Sequence, residues 1–80
     1  MKILKFSAAW CAPCKRLKTV LDEMELPYPM ESVDIDKNAK KSGEYGIRGV
    51  PTLILVTEEG EEQSRLVGLK TSAEIQEWLS

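Results

Sequence analysis

Histidine is missing from all 80 residues. Its absence removes Ser-His-Asp triads, Cys-His nucleophile pairs and most zinc sites. Only two cysteines are present, too few for a disulfide-stapled secreted scaffold. No apolar run approaches the roughly 18 residues a membrane span needs. The opening Met1-Lys2-Ile3-Leu4-Lys5-Phe6 has no long apolar stretch leading to a small-residue cleavage pattern. A secretory signal is therefore not expected, and the cytoplasm is the expected compartment. Surplus positive charge is missing too: 11 Lys plus Arg face 13 Asp plus Glu, a net charge of −2. That mild acidity gives no support to nucleic-acid binding. At this length the chain supports one domain, residues 1–80, with a modest core.

Hydrophobic spacing supplies the elements. Ile3, Leu4 and Phe6 lie in a run too short for a helix, which predicts a strand covered on both faces. From Cys11 to about Glu25, Leu17, Val20, Leu21 and Met24 recur at helical spacing, and Cys14 joins that face. Pro27 and Pro29 close the helix. Val33 and Ile35 alternate with Ser32, Asp34 and Asp36, a half-buried strand suited to a sheet edge. Asp36 is placed to cap a weak helix from about Lys37 to Tyr45, with Gly43 inside it. A loop through Pro51 leads to the strongest strand, Thr52 to Thr57. The turn Glu58-Glu59-Gly60 returns it antiparallel as a strand from about Glu62 to Val67. Thr71-Ser72-Ala73-Glu74 has the form of a capping box, and Ile75, Trp78 and Leu79 form the core stripe of a last helix. The order is β-α-β-α-β-β-α. A right-handed crossover makes the first two strands parallel. The fold class is therefore α/β: a mixed four-stranded sheet with helices on both faces.

The chemistry concentrates in Trp10-Cys11-Ala12-Pro13-Cys14-Lys15, at a strand-to-helix junction. Cys11 falls at the helix N-cap, where unpaired N–H groups and the helix dipole favour a thiolate. Cys11 is expected to be partly exposed, and Cys14, one turn in on the apolar face, to be shielded. That asymmetry suits dithiol exchange: Cys11 attacks a substrate disulfide and Cys14 attacks the resulting mixed disulfide. Pro13 sits in the first turn, where its missing N–H costs little. A zinc site would need two more soft or nitrogen ligands, and the chain has no other Cys and no His. A purely structural bridge closing so short a loop would remove little unfolded-state entropy.

These residues, with Val33-Asp34-Ile35-Asp36, Tyr45-Gly46-Ile47-Arg48-Gly49-Val50-Pro51-Thr52-Leu53 and Val67-Gly68, make the chain similar to the thioredoxin family along essentially its whole length. The resemblance implies a thioredoxin-like fold in a minimal, glutaredoxin-sized form without the family's usual first strand and helix. It implies a cis-proline at Pro51 facing the cysteines. It also implies substrate binding by Trp10, Val50, Pro51 and Gly68, the backbone of Val50 pairing with substrate like an added strand. Two positions depart from the family pattern and would tune the site beside Pro13. Ala12 replaces the usual Gly, and Lys5 stands where the family usually has a buried Asp. Lys5 either reaches water through an open face or places its ammonium near Cys14.

The expected function is a protein-disulfide reductase, an enzyme needing no bound cofactor and working as a monomer. The resemblance implies protein disulfides as substrates and a flavoprotein thioredoxin reductase as electron donor, with ribonucleotide reductase as a compatible acceptor. No nucleic acid or membrane partner is expected. The alternatives are a glutaredoxin-like, glutathione-coupled reductant and a non-redox interaction subunit. The charge order also suggests a basic pole at the site, from Lys15, Arg16, Lys18, Arg48 and Lys70. An acidic pole at Glu58, Glu59, Glu61 and Glu62 would lie opposite.

Overall fold

Side chains alternate across a strand, so an interior strand feeds two cores at once. Strand β1 (Lys2–Ser7) does this: Ile3, Leu4, Lys5 and Phe6 are all buried. The computed structural model describes residues 1–80. After β1 come α1 (Ala12–Asp22), β2 (Met30–Asp34), α2 (Ala39–Glu44), β3 (Thr52–Val56), β4 (Glu62–Val67) and α3 (Ser72–Leu79). The sheet order is β2-β1-β3-β4, with β1 parallel to β2 and antiparallel to β3, and β4 antiparallel to β3. The α/β class, the element order and the edge position of β2 are therefore as expected.

One core joins Ile3, Leu53 and Leu55 of the sheet to Leu17 and Leu21 of α1 and Ile75 of α3. The other joins Leu4, Phe6, Val33, Ile54 and Val56, with Ile35, Tyr45 and Ile47 packed over them. Helices α1 and α3 thus cover one face, and α2 with the chain that follows it covers the other. Helix α3 opens as its sequence indicates. Thr71 Oγ1 accepts the Glu74 N–H at 3.2 Å, and Glu74 Oε1 accepts the Thr71 N–H at 3.0 Å. Caps of this kind contribute about 1 kcal/mol.

Three expectations need correction. Helix α1 ends at Asp22, not near Glu25, because the N–H groups of Glu23 and Met24 turn to carbonyls three residues back. This tightened turn brings Met24 and Leu26 onto the first core, so apolar spacing outlasts the helix. Helix α2 begins at Ala39 with Asn38, not Asp36, at its N-cap, and no side chain caps it. Asp34 turns the chain instead, accepting the Asp36 N–H at 2.9 Å. Trp78 is only half-buried at the margin of the first core, and its indole N–H is buried without a partner.

On β2, Glu31 bridges two lysines. Its carboxylate accepts Lys2 Nζ of β1 at 2.8 Å and Lys41 Nζ of α2 at 2.9 Å. The hydrogen bond from Lys2, then that from Lys41, holds the Glu31 carboxyl below its ordinary 4.5, at about 2. A depressed carboxyl contributes stability above its unfolded value and loses it as pH falls through the folded one. Wild type should therefore exceed Glu31→Gln in urea midpoint at pH 6. The gap should close between about pH 4.5 and pH 2. It should be small, because these side chains are partly exposed and water screens them. A gap that persists at pH 2 would contradict this reading.

Candidate active site

Strand β1 delivers the chain to its C-terminal end, where Ala8 packs against both cysteines. Cys11 is the N-cap of α1, with extended backbone at φ −91° and ψ 108°, and Pro13 lies in the first turn. Its Sγ accepts the Cys14 N–H at 3.1 Å, so the sulfur takes the place usually held by a capping oxygen. Cys11 and Cys14 are joined as a disulfide, their Cα atoms 5.2 Å apart. Both are buried, at 4% and 5% exposure. The expected partial exposure of Cys11 is therefore not found in this oxidised form. Ala8, Ile35 and Val50 close around the pair. Environment distinguishes the two sulfurs instead. Cys11 Sγ lies 3.8 Å from the Val50 carbonyl oxygen, and Cys14 faces the interior side of α1.

Of the residues expected to bind substrate, Val50 packs against the cysteine pair and Trp10 precedes Cys11 in the chain. The Val50–Pro51 peptide is cis, and Pro51 is buried. The Pro51 carbonyl accepts the Gly68 N–H at 2.9 Å, which ties the end of β4 to this loop. Thr52 Oγ1 donates to the Gly49 carbonyl at 2.7 Å and holds the other side of it. Gly68 has φ +95°, and a Cβ there would meet open space. Its freedom is needed for the backbone turn rather than for clearance. Trp10 is 68% exposed, and its Nε1 donates to Asp36 Oδ2 at 2.9 Å. Ala12 and Pro13 are exposed on the first turn.

Lys5 is largely buried under α1 and lines a pocket that opens to solvent. It is 7% exposed. With Cys14, Ser7, Lys15, Lys18 and Asp34 it lines a cavity of about 200 Å³. Burial lowers the pKa of its ammonium, Lys18 lowers it further, and Asp22 partly offsets both. No carboxylate forms an ion pair with Lys5.

Two site residues were missed as such. Asp36 anchors Trp10 instead of capping a helix, and Asp34 lines the cavity beside Cys14. Both lie at or just beyond the C-terminal end of β2, parallel to and beside the end of β1. Strand ends of this kind are where open α/β sheets gather their ligand sites, and that was the available signal. These acids also weaken the proposed charge poles. At the far end, Lys2, Arg65 and the N-terminal ammonium offset Glu31, Glu62 and Glu58.

Comparison with known proteins agrees with this geometry. The family model described as Thioredoxin matches residues 1–80. The thioredoxin of Rickettsia typhi is 35% identical over 82 residues, spanning 98% of this chain and 77% of that protein. The thioredoxin of Chlamydia muridarum is 42% identical over 71 residues, spanning 85% and 69%. A thioredoxin mutant from Halobacterium salinarum superposes with TM-score 0.87 at 31% identity, covering 98% of this chain and 70% of that one. Fasciola hepatica thioredoxin gives 0.86 at 25% identity, covering 98% and 76%.

Proposed function

The chain belongs to the thioredoxin family, and on that premise we propose a division of labour between its two cysteines. The protein is a thiol-disulfide oxidoreductase acting on protein disulfides through a redox-active cysteine pair. In our reading Cys11 is the nucleophile and Cys14 the resolver. The N-cap position of Cys11, with its sulfur accepting the Cys14 N–H, carries this assignment. In the reduced protein the same N–H and the helix dipole favour a Cys11 thiolate. That thiolate attacks a substrate disulfide and forms a mixed disulfide. Cys14 attacks the Cys11 sulfur, which releases the substrate thiolate and leaves the protein disulfide. Val50, Pro51 and Gly68 form the rim against which an extended substrate segment lies, and Trp10, braced by Asp36, flanks it. Ala12 and Pro13 set the shape of the first turn.

The physiological direction is reduction, in the cytoplasm, by a monomer that a flavoprotein thioredoxin reductase recharges. Ribonucleotide reductase is a suitable acceptor. No helix is long and apolar enough to cross a membrane. Supplying electrons by NADPH through thioredoxin reductase, or by glutathione through glutathione reductase, tests the donor. Insulin disulfides should be reduced rapidly by the first route and slowly or not at all by the second. Efficient recharging by glutathione alone would favour the glutaredoxin-like alternative. A biological function that survives replacement of both cysteines by Ser would favour the interaction subunit.

A further inference from the structure

We propose that the Lys5 ammonium is the counter-charge that holds Cys14 as a thiolate while it resolves the mixed disulfide, which makes Lys5 a positioning residue for that step. The proposal rests on the assignment of Cys14 as resolver. Attack needs the thiolate, yet Cys14 is 5% exposed, and burial disfavours a charged sulfur. A nearby fixed positive charge offsets that penalty.

Lys5 is placed to supply it. Ile3, one alternation earlier on β1, faces the α1 core, so Lys5 faces the same side. It lines one cavity with Cys14. Its neighbours across the sheet are Ser32 on β2 and Leu53 on β3, neither charged. The charged groups around the cavity are Lys15 and Lys18 on α1 and Asp34 at the end of β2. Asp22 also acts on Lys5, but its carboxylate is engaged by Lys18 Nζ at 2.8 Å. The cavity is thus net positive, and the charge that completes it is a thiolate on Cys14. A lysine at 7% exposure without an ion pair is costly for the fold alone, where a methionine of similar length would pack without that cost.

Cys14 loses its proton to solvent through the cavity, and its thiolate attacks Cys11 Sγ. The Cys11–Cys14 bond forms as the Cys11–substrate bond breaks, and the electron pair leaves on the substrate sulfur. The protein dithiol is oxidised and the substrate disulfide reduced. Lys5 holds its proton throughout and acts by charge.

The test uses the full chain with Cys11→Ser, so that Cys14 is the only thiol, and follows its ¹³Cβ shift against pH. Adding Lys5→Met should raise the Cys14 midpoint by about one unit or more, a roughly tenfold loss of thiolate near neutrality. Lys5→Arg should keep it low. Lys5→Met should also be at least as stable as its parent, and Lys5→Gln serves as a second neutral variant. An unchanged midpoint in the neutral variants would overturn the proposal. With both cysteines present, a chromogenic aromatic disulfide should release two equivalents of thiol. The second release should lose rate at low pH in Lys5→Met more than in wild type. Release of one equivalent by wild type would instead remove Cys14 as resolver, and with it the basis of the proposal.

Discussion

Cys11→Ser should reduce disulfide-reducing turnover to the uncatalysed background, and Cys14→Ser should permit one attack per molecule without turnover. An alcohol is scarcely ionised at neutral pH and does not displace sulfur from a disulfide, so nothing in the first turn can replace the Cys11 thiolate. Losing Cys14 leaves the attack intact but removes the internal thiol that releases the product. The two effects separate in an insulin-reduction assay. Cys11→Ser shows no burst, and Cys14→Ser shows a burst of about one equivalent followed by a halt. If Cys11→Ser retained more than about a tenth of wild-type turnover, the nucleophile would lie elsewhere.

Phe6→Ala should be the most damaging change outside the cysteines. Phe6 is fully buried at 0% exposure in the second core, its ring 5.7 Å from that of Tyr45 in a tilted arrangement. Removing a buried aromatic ring costs about 3–5 kcal/mol when the site cannot collapse. Strands β2 and β3 flank Phe6 on both sides of β1, which limits collapse. In a domain of this size each kcal/mol lowers the melting temperature by about 4–8 °C, so a fall of roughly 12–40 °C is expected. Circular dichroism melts of the oxidised protein check it. A fall below about 5 °C would mean that the face under α2 repacks freely.

The position of Cys11 at the N-cap was legible because local signals agree there. A strand ends in small residues, a proline fits the first turn, and Leu17 and Leu21 set the helical face. The β3–β4 hairpin and the Thr71 cap were legible for the same reason, since each is written within a few residues. Where the reading failed, the deciding group came from elsewhere in the chain. Cys11 is buried by Val50 and Ile35, far along the chain, so its own neighbours could not reveal it. Asp36 carries the same local signal whether it caps a helix or binds an indole, and the position of Trp10 decides between them. Two readings of Lys5 stayed open in the sequence, and only the packing of α1 over that face of β1 buries it beside Cys14, in a pocket that opens to solvent.

The division of labour between the two sulfurs is tested most directly by trapping the mixed disulfide. Reduced Cys14→Ser is mixed with a disulfide-bonded protein substrate, quenched in acid, digested and read by mass spectrometry. The expected product is a single covalent adduct of enzyme and substrate, with the bond at Cys11, stable until a small thiol is added. In the reciprocal Cys11→Ser variant no such adduct should accumulate. Adduct formation at Cys14 in the reciprocal variant, at a rate matching that of Cys11, would contradict the assignment.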